Sequence, residues 1–208
     1  MKRLSFLILV ILTSIAVNAQ TISSADAAIL DKIKQANDKH TSIVSNFKQL
    51  KHMPILGENI LSNGKFHYNR PEQLAMVYEN PKGDLLLISN DKMTMVASGK
   101  RREASTKSNA KMRGMKNILA SFIQGNIQQA GADKISIKET QNLYIVTAEI
   151  GKANKSNISK ATAQYDKSDL TITLLNLEES DGTYTVYELV GKQLNKLIDQ
   201  SIFQAPKK

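Results

Sequence analysis

Residues 64–91 read GKFHYNRPEQLAMVYENPKGDLLLISND. Phe66 and Tyr68 fall on one side of an extended chain, with Lys65 and His67 on the other. That is the period-two signature of a half-buried strand. The Arg70-Pro71 step interrupts the run, Leu74 to Glu79 resumes it, and Pro81-Lys82-Gly83 breaks it again before Leu85 to Ser89. Asn90-Asp91 then supplies a two-residue turn into Lys92 to Ala97. Strands spaced this closely leave no room for crossover helices, so the segment predicts an antiparallel meander.

Working outward, Ile60 to Asn69 and Ile43 to Lys51 alternate in the same way. Before them, Ser23 to about Asn37 is helical in pattern, with Ser24 or Ser23 as cap and Ala28, Ile29, Ile33 and Ala36 along one face. Downstream, residues 100–111, KRREASTKSNAK, hold no apolar periodicity and read as an exposed connection. Met112, Met115, Ile118, Leu119, Phe122 and Ile123 follow at steps of three and four and predict a second amphipathic helix ending near Gly125. Strands are expected again over Lys134 to Glu139, Leu143 to Glu149, Ala161 to Asp166, Leu170 to Leu177 and Tyr184 to Val190. Gly191 to Gln200 is short and mixed, and Ser201 to Pro206 adds a last edge strand.

No repeat or linker divides the chain, so one α+β domain over residues 20–208 is expected. A sheet of about ten strands curls, and two amphipathic helices cannot cover both of its faces. The expected architecture is therefore a strongly curved antiparallel sheet, an open half β-barrel, with the helices as a lid over an apolar cavity.

The first residues read as an export signal: Lys2 and Arg3, an apolar run from Leu4 to Val17, and a small-residue cleavage point after Ala19. The run is shorter than the ~20 residues of a membrane span. An exported protein without stable membrane insertion is expected. With no Cys anywhere, disulfides, thiol chemistry and lipid attachment at a leader cysteine are excluded. The net charge of +9 is spread along the chain, apart from Lys100-Arg101-Arg102. It reads as a solvated basic surface, with weak attraction to an acidic partner or to anionic headgroups as the alternative. Export, sparse aromatics at 5% and the absence of Trp argue against nucleic acid.

The ordered motifs resemble the LolA family of periplasmic lipoprotein carriers. Phe47-Lys48-Gln49 stands at the family's F-x-Q motif, and Gly64, Phe66 and Tyr68 precede Arg70-Pro71 as its glycine and aromatic do. Leu74 to Pro81, the turn Ser89-Asn90-Asp91-Lys92, and Phe203 with Pro206 continue the series. The resemblance implies an open barrel with a helical lid, and assigns Arg70, fixed by Pro71, as the latch that bonds lid-helix carbonyls. The chain departs from the family in lacking Trp: Leu74, Met76, Met93 and Met95 stand where aromatics are common, and Asp91 replaces the turn glycine. Asn90 or Asp91 then has to take the left-handed conformation.

The cavity wall expected from the alternation and the helix stripe comprises Phe47, Phe66, Tyr68, Leu74, Met76, Leu86, Met93, Met95, Met115, Leu119 and Phe122. A one-residue slip of register would turn the opposite set inward. The three histidines, His40, His52 and His67, are not spaced as a metal pair. No nucleophile elbow, phosphate loop or dinucleotide fingerprint appears. No catalytic residue, metal or cofactor is expected. The resemblance implies a monomeric carrier that takes acylated lipoproteins from an inner-membrane exporter to an outer-membrane acceptor. Two alternatives stay open: a carrier or sensor of another lipid, such as a glycolipid or pigment ester, and an interaction module filled by its own side chains.

Overall fold

The computed structural model describes residues 22–205. In chain order its main elements are helix α1 (Ser24–Asp38), strands β1 (Ser42–Met53), β2 (Glu58–Asn69), β3 (Gln73–Asn80), β4 (Leu85–Ser89), β5 (Lys92–Ala97) and β6 (Lys100–Ser105), and helix α2 (Ala110–Ile123). Strands β7 (Ala132–Glu139), β8 (Leu143–Ile150), β9 (Ile158–Asp166), β10 (Ile172–Glu179) and β11 (Tyr184–Leu194) complete the sheet. The export signal and its cleavage point lie outside the described residues, as does Pro206.

All eleven strands join one sheet in the order β6-β5-β4-β3-β2-β1-β11-β10-β9-β8-β7. Every pairing is antiparallel, and only β1 with β11 joins strands distant in sequence. The sheet is open, with β6 and β7 at opposite edges. The chain linking those two edges is α2, so the helix has to cross one face of the sheet. Its stripe of Ile118, Leu119, Phe122 and Ile123 is buried against that face.

The alternation sets the register of the inner, helix-covered face. Tyr68 pairs Leu74, which pairs Ile88, which pairs Met93; Phe66, Met76 and Leu86 form the next row. Asn90 and Asp91 both take positive φ, 48° and 60°, as a two-residue hairpin turn requires. In α1, Ser23 caps the helix by accepting from the Asp26 N–H at 3.0 Å. Its buried stripe is Leu30, Ile33 and Asn37; Ala28 is exposed, so the apolar face lies one residue round from the expected one.

Two further expectations are corrected. The connection expected over residues 100–111 contains strand β6, which pairs with β5 through Lys92–Ser105 to Ala97–Lys100. An edge strand has only one neighbour and tolerates charge on both faces, so it needs no apolar rhythm. The last segment forms no edge strand: Gln200–Phe203 is a 3-10 turn. Ile198 and Phe203 bury themselves against Ala75 and Leu87 on the outer face instead. Burying those side chains there outweighs pairing at the free edge of β6 or β7.

Candidate functional site

The inner face holds a small apolar cavity of about 30 Å³, lined by Phe66, Leu74 and Met76 from the sheet, Leu119 and Ile123 from α2, and Ile172, Leu175, Tyr187 and Leu189 from β10 and β11. Ligand pockets are usually ~300–1,000 Å³, so the helix side chains fill most of the space beneath them.

A small set of polar contacts holds the helices there. The Arg70 guanidinium, in the β2–β3 turn, donates from Nε to the His40 carbonyl at 2.9 Å and from Nη2 to the Asn37 carbonyl at 2.9 Å. It also donates to Asp38 Oδ1 at 3.1 Å. The last carbonyls of a helix have no partner within it, and a cation suits that end; α1 itself carries no basic residue in its last turn. The Lys34 ammonium, with Arg70 adding a smaller share, holds the Asp38 carboxyl below its ordinary value.

Beside Arg70, the Pro71 carbonyl accepts from Gln124 Nε2 at 2.8 Å and from Tyr68 Oη at 3.1 Å. Glu72 pairs with Lys116 of α2 at 2.6 Å. At the other flank, the fully buried Tyr165 hydroxyl donates to the Phe122 carbonyl at 2.6 Å. Burial pushes that phenol well above its usual range, so it remains a donor at any ordinary pH. The β2–β3 turn therefore touches both helices, α1 through Arg70 and α2 through Pro71 and Glu72.

The other named side chains divide into three groups. Phe47, Tyr68, Met93 and Phe122 are buried in the core around the cavity, and Met115 is half-buried against it. Phe47 meets Tyr78 edge to face with centroids 5.0 Å apart. Two residues on, Gln49 accepts from Tyr78 Oη at 2.6 Å, so the F-x-Q spacing puts both side chains against one tyrosine. Met95 is 44% exposed and does not line the small cavity.

Met95 and the half-buried Leu86 instead line an open mouth of about 370 Å³ at the uncovered end of the inner face. No residue of α1 or α2 lines it, so inward pointing there does not mean burial. Tyr187 lines both the mouth and the cavity. Ile123, Ile172, Leu175, Tyr187 and Leu189 were not among the expected wall residues. The alternation in β10 and β11 carries that information, once pairing of Phe47 with Leu189 and Gln49 with Tyr187 sets the phase.

Among the described residues no group of three or more His, Asp or Glu side chains could hold a metal ion. No helix among them is long and apolar enough to cross a membrane.

Among solved structures, the fold is similar to that of an uncharacterized conserved protein from Thermus thermophilus, at 8% identity and TM-score 0.53, over 88% of this chain and 95% of that one. A DUF1329 family protein from Desulfovibrio piger aligns at 14% identity and TM-score 0.50, over 86% of this chain and 96% of that one. A LolA superfamily protein from Nitrosomonas europaea aligns at 12% identity and TM-score 0.44, over 86% of this chain and 97% of that one. No curated protein matches the sequence. Residues 38–206 match the family model described as outer membrane lipoprotein carrier protein LolA, and the chain belongs to that family.

Proposed function

We propose that this protein is a periplasmic carrier that shields the acyl chains of lipoproteins between an inner-membrane exporter and an outer-membrane acceptor. The observation that carries this reading is an apolar cavity roofed by a helix held through a few polar contacts at one turn. Each methylene kept from water is worth ~0.8 kcal/mol, so an acyl chain in an aqueous compartment needs a cover. In this reading the structure is the closed state: Leu119 and Ile123 occupy the space that cargo would take.

Admitting a chain requires α2 to lift from the sheet, and Arg70 with Pro71 acts as the latch that sets how readily the lid opens. The guanidinium suits this role because it keeps its charge at any accessible pH and its fork reaches two carbonyls at once. The expected wall residues, Met115 and Phe122 included, then line the opened cavity.

The test is uptake of a fluorescent acyl probe by the purified mature protein, followed by displacement with a synthetic acylated peptide. Saturable uptake with displacement supports the carrier. A second reading, an interaction module filled by its own side chains, draws on the small size of the closed cavity. Failure of any acyl probe to bind would favour it.

A further inference from the structure

The open mouth is not uniformly apolar. Its wall sets Ile60, Leu86 and Met95 beside Gln49, Lys51, Ser62, Thr185 and the tyrosines Tyr78 and Tyr187. These polar groups share the inner face by register: Gln49 pairs Ser62 and Tyr187, and Lys51 pairs Ile60 and Thr185. They form a band across β2, β1 and β11 directly beside the small apolar cavity, with Tyr187 common to both.

Most of the band is unengaged. Lys51 is half-buried yet forms no ion pair or side-chain hydrogen bond among the described residues. Asp181, the carboxylate whose pKa it influences, lies in the β10–β11 turn and is bonded to the Thr183 N–H at 2.9 Å. The Ser62, Thr185 and Tyr187 hydroxyls likewise have no side-chain partner, whereas the Gln49 oxygen is taken by Tyr78. Asp84, a carboxylate on the rim, sits at the β3–β4 turn, two strands from β1, and accepts from the Ser98 N–H at 2.8 Å; Glu179, at the end of β10, lies near enough to act on the Tyr187 phenol. What the band presents inward is therefore mainly donors: an ammonium, an amide N–H₂ and hydroxyls. Burial pushes the Tyr187 phenol up to about 12, which keeps its proton in place.

We infer that this band is a head-group subsite: it receives the first polar group of an acyl ligand whose chain enters the cavity, and selects heads rich in hydrogen-bond acceptors, anionic ones most strongly through Lys51. This rests on the carrier reading. The chemistry it fits is a carbonyl or carboxylate next to a long chain, whether a free fatty acid or an acyl ester or amide. A cationic head meets the Lys51 ammonium, while Asp84 stands across β2 and β3 on the opposite rim. Polar groups that have to be matched reject the wrong ligand more strongly than apolar surface does.

The test compares oleic acid, methyl oleate and oleylamine as competitors of one fluorescent acyl probe, with wild-type protein and with Lys51→Met. For the wild type, oleate is expected to bind at least tenfold more tightly than oleylamine, with methyl oleate between them. Lys51→Met should bring oleate to the level of methyl oleate while leaving methyl oleate within about twofold of wild type. Equal affinity for all three ligands, or an unchanged preference for oleate in Lys51→Met, would overturn the subsite and leave the carrier standing. No binding of the probe or of any competitor to the wild type would overturn both.

Discussion

Arg70 Nη2 lies 2.9 Å from the carbonyl oxygen of Asn37, so a side chain from the β2–β3 turn supplies the cationic donor that the last turn of α1 lacks. The same guanidinium reaches the His40 carbonyl, joining the helix end to the start of β1. Replacing Arg70 by Leu removes both bonds; the His40 carbonyl is left to water, while the Asn37 carbonyl keeps the His40 N–H at 3.0 Å. Bonds from a charged donor are worth ~1.5–3 kcal/mol each, less where water can take over. The loss of stability is expected at about 1–3 kcal/mol, read from denaturant midpoints. Amide exchange in α1 should accelerate, and Arg70→Lys should recover only part of the loss because one ammonium cannot span both carbonyls. An Arg70→Leu protein with wild-type exchange in α1 would contradict this.

Gly114 brings α2 against the β8–β9 connection. A Cβ there would lie 2.2 Å from the Asn154 carbonyl oxygen and 2.9 Å from the Ser156 nitrogen. Gly to Ala in a helix ordinarily gains up to ~1 kcal/mol. Here overpacking against backbone, at ~1–3 kcal/mol, is the larger effect. Gly114→Ala is thus expected to lower stability, with the thermal midpoint showing the sign; a raised midpoint would mean the helix can shift without cost.

Tyr165 is fully buried and holds the end of α2 through the Phe122 carbonyl. Tyr165→Phe keeps the ring and removes one buried hydrogen bond. A loss of about 1–2 kcal/mol with unchanged m-value is expected in urea unfolding. A neutral substitution would show that α2 is held by packing alone.

His67 lies on the outer face in the row Val44–His67–Ala75, and both of its row neighbours pack against the C-terminal segment. Its buried Nδ1 has no hydrogen-bond partner. Burial, with the Lys65 charge second, lowers its pKa from the ordinary 6.5. The folded chain therefore binds this proton less readily than the unfolded chain does. Its contribution to stability is complete above 6.5 and is lost as pH falls through 6.5 towards the lower folded value. His67→Gln should flatten the fall in thermal midpoint between about pH 7.5 and pH 5.5. Parallel profiles for the two proteins would contradict the assignment.

How much was legible follows from which signals are local. Phe66, Leu74 and Met76 could be set on one common face from alternation, because short turns fix their relative phase, but which face turns inward is not in the alternation. Leu175, Tyr187 and Leu189 alternate as clearly, yet their phase depends on the β1–β11 pairing, which spans most of the chain. Met95 shares the inward face with Met93 but lines the mouth, to which neither helix contributes, and periodicity carries no information on where cover ends. Strand β6 escaped because an edge position releases it from the apolar rhythm. The Arg70 contacts were implied by family resemblance; an arginine before a proline has no such meaning by itself.

The central claim is that the closed cavity opens to hold an acyl chain. It is tested most directly by native mass spectrometry of the mature protein purified gently from the periplasm. Acylated peptides or lipoproteins bound at one per chain are the expected result. A different lipid at the same ratio would keep the carrier and change its cargo. A protein that emerges empty and takes up no added acyl ligand would contradict the claim.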